Sequence, residues 1–297
     1  MAAQIRVIFR KFGILSDEPP PEMNFYPATA FLRHLLTARS TAGHGVHSPF
    51  VFDFLTQVVR GKGDVLIMGE VESLRREMLS DRRTVRVTDL GSGSTVNKGE
   101  ERRVSRIASV AALPQRQAAL LSRIAASLRG VTPRGDKGPG PGDPGIILEL
   151  GSSLGISTLA LALAAPERRV ITVEGCPETA AIARENLKNH GASNATVLNL
   201  EFSAALEFLI KEGLKVSFAF IDGNHRGTAL TEYVSEIASM GEEMIIVADD
   251  IRHTKEMFLA WRSVESSGIA AVTMETLRLG ILFIKHGITP GRYRIRY

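Results

Sequence analysis

The sequence predicts an α/β fold, a doubly wound sheet of seven strands whose last strand is antiparallel, preceded by a mostly helical N-terminal cap. Three observations predict it. Short apolar runs at Ile146–Leu150, Val170–Val173, Ala195–Leu198, Val216–Ile221 and Met244–Ala248 alternate with helical runs that start near Ser157, Pro177, Ala204 and Thr228. That rhythm belongs to a parallel sheet with helices on both faces. Two further apolar runs, 270–273 and 279–284, are joined by a short link around Arg278, too short for a crossover helix, so these two strands pair antiparallel. Finally, residues 133–145 (PRGDKGPGPGDPG) keep neither the helical nor the strand period and read as a linker or long loop. The expected division is a helical region at 1–132, the linker at 133–145 and the α/β domain at 146–297.

In the N-terminal region, 28–38 carries Phe31, Leu32, Leu35 and Leu36 at helical spacing, between the breakers Pro19-Pro20-Pro21 and Thr41-Ala42-Gly43. A second helix is expected at 49–59, with Ser48 as N-cap and Pro49 at the first helical position. Segments 71–79 and 103–128 also read as helical, and no internal repeat is visible. The chain has 297 residues, 44% hydrophobic and 23% charged, which is enough to bury a large core and excludes disorder over most of its length. The single cysteine, Cys176, excludes an internal disulfide framework and a multi-cysteine zinc site, and fits a reducing, cytoplasmic setting. The longest apolar stretch, 156–165, contains Ser157 and Thr158 and falls short of the roughly 20 residues that cross a bilayer. At 1–15, Arg6, Arg10 and Lys11 are interleaved with apolar residues, a pattern unlike a secretion signal. A net charge of +4 favours anionic partners without requiring them.

The chemistry concentrates at strand ends. The first strand of the domain runs into Glu149-Leu-Gly151-Ser152-Ser-Leu-Gly155-Ile-Ser157 and then an apolar helix. Glycines at 151 and 155 let the backbone bend and approach a ligand closely. Such a turn is either a ligand loop or ordinary turn chemistry; the next strand ends in Glu174, and an acid at that distance is placed to accept both hydroxyls of a ribose. A pyrophosphate loop normally has a third glycine, where this chain has Ser157 or Thr158, and Glu149 would repel a pyrophosphate. A carboxylate there suits a ligand bearing positive charge.

On these residues, 146–285 resembles the class I S-adenosylmethionine-dependent methyltransferases, a Rossmann-like fold. The resemblance implies an enzyme in which Glu149, Gly151, Ser152, Gly155 and Ser157 line the methionine part of S-adenosylmethionine, Glu174 holds the ribose, Ser203 lies near the adenine, and Asp222 also borders the cofactor. Glu201 stands where the family has a glycine near Ser203. The match is closest to catechol-type small-molecule O-methyltransferases, because the fourth strand ends in Asp222-Gly-Asn-His225 and the fifth in Asp249-Asp250. In the metal-dependent members these positions bind Mg²⁺, so the resemblance implies a metal held by Asp222, Asp249 and Asp250, with Asp250 replacing the family's Asn. The alternative is that these acids cap the helices that follow. It also implies His225, with Asp222, as the acid-base group on the acceptor.

Two segments are decoys. Val85-Arg-Val-Thr-Asp89-Leu-Gly91-Ser-Gly93 resembles a strand and glycine loop, but a charged run at 97–103 and a long helix follow it, so it reads as a β-turn or a substrate-side loop. His44 and His47 in HGVHSPF lack a third ligand for a metal site. That string looks like the N-terminal part of uncharacterised bacterial methyltransferases, and the segment reads as a loop folding over the pocket. The arginines at 75, 76, 82, 83, 86, 102, 103 and 106 are interleaved with Glu70, Glu72, Glu77, Asp81, Glu100 and Glu101, which favours a solvated mixed-charge surface over a nucleic-acid site. The expected activity is methyl transfer to an oxygen, or else a nitrogen, of a small molecule. The competing classes are an RNA methyltransferase docking through its basic N-terminal region and a non-catalytic cofactor-binding module.

Overall fold

The computed structural model describes residues 34, 36–38, 48–88, 101–128, 145–224 and 226–297. The Pro/Gly segment from 133 to 144, the histidines at 44 and 47, Asp89 with its glycines, and His225 lie outside them.

In the N-terminal part, α1 (Pro49–Asp53) starts where Ser48 caps it through the amide of Val51 and Pro49 opens the first turn. It continues into a π-helical stretch, Phe54–Val59. Helix α2 (Val65–Ser80) is capped by Asp64, whose Oδ1 accepts from the amides of Leu66 (2.9 Å) and Ile67 (3.3 Å). Strands β1 (Thr84–Arg86) and β2 (Glu101–Arg103) pair antiparallel as a small separate sheet. The long helix expected at 103–128 is two helices, α3 (Val104–Ala111) and α4 (Gln115–Ser127), because Pro114 cannot supply the amide that a continuous helix needs. The end of the charged run before it forms β2.

The main sheet is built from β3 (Ile146–Leu150), β4 (Val170–Val173), β5 (Ala195–Leu198), β6 (Val216–Ile221), β7 (Met244–Ala248), β8 (Val272–Glu275), β9 (Gly280–Ile284) and β10 (Gly291–Arg294), in the order β10-β8-β9-β7-β6-β3-β4-β5. The five strands from β5 to β7 are parallel, and β9 runs antiparallel between β7 and β8. The expected rhythm and the antiparallel pair are present. The sheet has eight strands rather than seven, because β10 adds to β8 in parallel. Its sequence, Gly-Arg-Tyr-Arg, has no apolar alternation, and pairing with β8 holds it in place. The helices α5 (Ile156–Ala164), α6 (Pro177–Asn189), α7 (Phe202–Lys211) and α8 (Gly227–Ala238) link the parallel strands. Helix α9 (Lys255–Ser266), which the strand rhythm did not reveal, follows β7 and buries Met257, Trp261 and Val264.

The two sheet faces have separate cores. Leu148, Leu150, Ile171 and Val173 face α7, α8 and α9, together with Leu206, Val234 and Trp261. Ile147, Phe218, Phe220 and Phe283 face the other side, in one cluster with α5, α6 and the N-terminal helices, including Phe54, Leu74, Leu121 and Ile124. Phe50 and Phe54 meet Phe283 edge-on, with ring centroids 5.2 and 4.8 Å apart. The N-terminal helices thus share a continuous core with the sheet. Exposing an aromatic-rich face of this kind costs about 1.5–3 kcal/mol per large side chain. A chain beginning at Gly145 is therefore expected to aggregate or to lose cooperative unfolding. A soluble truncation with a single sharp urea transition would show that the helices are dispensable.

Candidate active site

β3 is the central strand at which the chain order reverses, with β4 on one side and β6 on the other. Ligands bind outside the carboxyl ends of strands at such a switch point. Main-chain bonds cross between neighbouring strand ends there: Gly151 N donates to Val173 O (2.9 Å), Asp222 N to Leu150 O (2.8 Å) and Asp249 N to Ile221 O (2.9 Å). They align the ends of β3, β4, β6 and β7 along a cleft of about 580 Å³.

Gly151 makes the turn possible. Its φ is +101°, and a Cβ at this position would stand 2.2 Å from the Asp222 carbonyl oxygen, so no other residue fits the close approach of the β3 and β6 ends. Gly155 has a φ of +83° and N-caps α5. Three non-glycine residues also hold left-handed conformations, Ser153 (+46°), Asn224 (+49°) and Asp250 (+51°). All three line this cleft.

Glu174 borders the cleft at the end of β4, with its carboxylate oxygens fixed by the amides of Ser153 (2.8 Å) and Cys176 (2.9 Å). Burial raises its carboxyl above the usual range, while these amides pull it back. Gly151, Ser152, Ser157 and Ser203 line the cleft, and Phe202 stands beside Ser203. The Phe202 ring occupies the space over Gly223, where a Cβ would be 2.7 Å away, and meets Tyr233 edge-on. Ser152 Oγ and Asn224 Oδ1 are buried and have no hydrogen-bond partner among the described residues.

Glu149 lies elsewhere. It is fully buried on the core side of β3, and its Oε2 accepts from the hydroxyls of Thr158 and Thr172. Burial raises its carboxyl above the usual range. Along β3, Glu149 shares the face of Ile147 because side chains alternate. It therefore supports the turn from beneath, and the direct contact with a cofactor's positive charge expected from sequence does not fit its position.

The expected metal ligands have a different partner. Arg278, from the turn between β8 and β9, binds Asp249 through Nε (2.7 Å) and Nη2 (2.5 Å) and reaches Asp250 Oδ1 at 3.0 Å. Asp249 is only 1% exposed, and both of its oxygens are committed to the guanidinium. Among the described residues no group of three His, Cys, Asp or Glu is arranged to hold a metal ion. This donor set does not fit the Mg²⁺ implied by the resemblance, because a guanidinium already supplies the positive charge. Asp222 stands beside the same group, and burial together with the negative charge of Asp249 pushes its carboxyl well above the usual range, although Arg278 opposes this. His253, exposed at the cleft and carried by a turn whose amide bonds Asp250 O (2.8 Å), was not singled out from sequence. The β1–β2 hairpin also borders the cleft through Val87, Thr88 and Arg102. It is docked at the start of α6 by the Arg86 amide, which donates to Glu178 (2.6 Å), by the Thr88 amide, which donates to the Cys176 sulfur (3.5 Å), and by the Cys176 thiol, which donates to the Arg86 carbonyl (3.5 Å).

A family model described as a methyltransferase domain matches residues 148–251, the span from β3 to the end of β7 that carries this cleft. By this match the chain carries a methyltransferase domain over about a third of its length. The strand order, with an antiparallel strand inserted beside β7, belongs to the same fold. The O-methyltransferase TomG from Streptomyces achromogenes, solved with S-adenosylmethionine, is 16% identical, with a TM-score of 0.50 over 80% of this chain and 95% of that one. An O-methyltransferase from Bacillus cereus, solved with S-adenosylhomocysteine, is 13% identical, with a TM-score of 0.48 over 80% and 96%. No curated protein matches the sequence. Among the described residues no helix of the methyltransferase is long and apolar enough to cross a membrane.

The raised Asp222 carboxyl sets a pH dependence. A carboxyl harder to ionise in the folded state contributes stability that is present below the ordinary carboxylate pKa of about 4 and is lost as pH rises through its folded value. Asp222→Asn should therefore unfold at higher urea than the parent at pH 8, with the advantage vanishing near pH 4. An advantage that grew on acidification would contradict the burial of this carboxyl.

Proposed function

We propose that this methyltransferase transfers the methyl group of S-adenosylmethionine to a hydroxyl oxygen of a small molecule bound at the β6–β7 end of the cleft. The observation that carries the reading is Asp222, a carboxyl with raised proton affinity that faces the cofactor turn on one side and Arg278 on the other. A hydroxyl acceptor must lose its proton as it attacks, and a carboxyl held above its usual range is a stronger base for that step. The positive guanidinium beside it suits an oxygen that develops negative charge and disfavours an ammonium acceptor.

In this reading Glu174 holds the ribose hydroxyls, while Gly151, Ser152, Gly155 and Ser157 surround the rest of the cofactor and Phe202 with Ser203 flank its base. The cofactor supplies an electrophilic methyl on a sulfonium, and the protein aligns the acceptor with it and excludes water. Ile107, Ala108, Val110 and Leu113 give the cleft an apolar wall on the α3 side, which fits a small acceptor with an apolar body. His225, three residues after Asp222, remains a candidate for relaying the proton. The division into an N-terminal region at 1–132, a linker at 133–145 and a catalytic domain at 146–297 belongs to the same reading, with the first part contributing the hairpin and α3 to the acceptor side.

Glu174→Ala should weaken S-adenosylmethionine binding roughly tenfold to a hundredfold in calorimetry, since hydrogen bonds to a charged group contribute about 1.5–3 kcal/mol. Unchanged affinity would remove Glu174 from the ribose. Screening hydroxylated and amino acceptors for S-adenosylhomocysteine release tests the reaction itself. With an active hydroxyl acceptor, Asp222→Asn should lower kcat about a hundredfold or more while cofactor affinity is kept. Turnover confined to amines would refute the oxygen assignment.

A further inference from the structure

We propose that Arg278 is the resident cation of the acceptor site, and that its guanidinium faces the acceptor oxygen where a divalent metal would otherwise stand, so that methyl transfer here needs no metal. The inference rests on the reading of this cleft end as the acceptor site.

Four observations carry it. Both carboxylate oxygens of the buried Asp249 are taken by Arg278 at 2.7 and 2.5 Å, and Asp250 shares the same Nε at 3.0 Å. A metal ligated by Asp249 would have to displace this fork-to-fork pair from a buried position, where removing one partner strands a charge. The guanidinium does not lose its proton in proteins, so the acids already have a permanent cationic partner. The origin of the side chain is fixed by the main chain: Arg278 O accepts from Ile251 N at 3.1 Å, and Thr276 N bonds Leu279 O at 2.8 Å across the turn. This ties the β8–β9 turn to the segment that carries the aspartates. Lastly, the Arg278 side chain is 32% exposed and lines the cleft, so it is reached from the cleft while Nε and Nη2 hold the acids.

Asp249 and Asp250 then position the arginine, and Arg278 stabilises the negative charge that develops on the acceptor oxygen. Planar guanidinium donors do this without geometric reorganisation.

The test is titration of the full-length protein with Mn²⁺ alone, following free Mn²⁺ by electron paramagnetic resonance. The parent is expected to show no stoichiometric site. Arg278→Ala leaves Asp222, Asp249 and Asp250 uncompensated and is expected to gain one Mn²⁺ per chain, with affinity at least about tenfold above the parent. Adding Asp249→Asn to that variant should abolish the gain. Retained S-adenosylmethionine binding shows that the variants are folded. The parent titration needs no variant, and one Mn²⁺ per parent chain that disappears in Asp249→Asn would overturn the proposal, as would a folded Arg278→Ala protein that gains no site. No acceptor enters the experiment, so its outcome is separate from the fate of the oxygen assignment.

Discussion

Like charges at 222, 249 and 250 stand at the ends of two adjacent strands, where ionised carboxylates repel one another and burial penalises each of them. Arg278 makes the arrangement compatible with a folded protein. The left-handed conformation of Asp250 turns the chain sharply after β7, so that consecutive aspartates meet one guanidinium although side chains of consecutive residues in a strand point apart. The same turn delivers His253 to the cleft and leads into the Thr254 cap of α9. One short segment thus ends the strand, brings both aspartates to Arg278 and opens the next helix.

Other arginines play comparable roles at the joints of the fold. Arg168 donates to the carbonyls of Leu128 and Gly145 and to the Ser217 hydroxyl, joining the last described residue of the N-terminal part to the first strand of the domain. Arg123 bonds the carbonyls of Val58 and Val59 and the Tyr297 hydroxyl, bringing the chain's last residue onto the N-terminal helices. With the Phe50 and Phe54 contacts to Phe283, these bonds make the N-terminal helices one layer of a three-layer structure.

The parallel sheet was legible because each of its strands is a short apolar run bounded by local turn signals, and the glycine turn and Glu174 because their significance lies in spacing along the chain. What escaped depends on contacts that the sequence does not localise. Helix α9 is the exception, since its buried Met257, Trp261 and Val264 stand at i, i+4 and i+7, a helical period present in the sequence. Strand β10 is held by backbone pairing that leaves no side-chain pattern. Glu149 was read from its charge, whereas its place in an alternating, fully buried strand decides its role. Arg278 was the largest omission: it is 29 residues from Asp249 in sequence, and only the antiparallel placement of β9 beside β7 brings the two together.

Local rules are broken at one edge of this fold, and the distribution of the breaches is informative. Among the described residues, the non-glycine residues with left-handed backbone are Ser153, Asn224 and Asp250, each just past the carboxyl end of a different parallel strand. Holding such conformations costs about 1–3 kcal/mol apiece. A sheet selected only for stability would have no reason to collect these costs on one side, since any of the turns could be rebuilt with glycine. The two cores offset them: strand interiors such as Ile147, Leu148, Phe218 and Phe220 are fully buried and contribute on the order of 1.5–3 kcal/mol per large side chain. The apolar interior stabilises the fold while its carboxyl edge is shaped for a ligand, and strain concentrates where binding and chemistry require it.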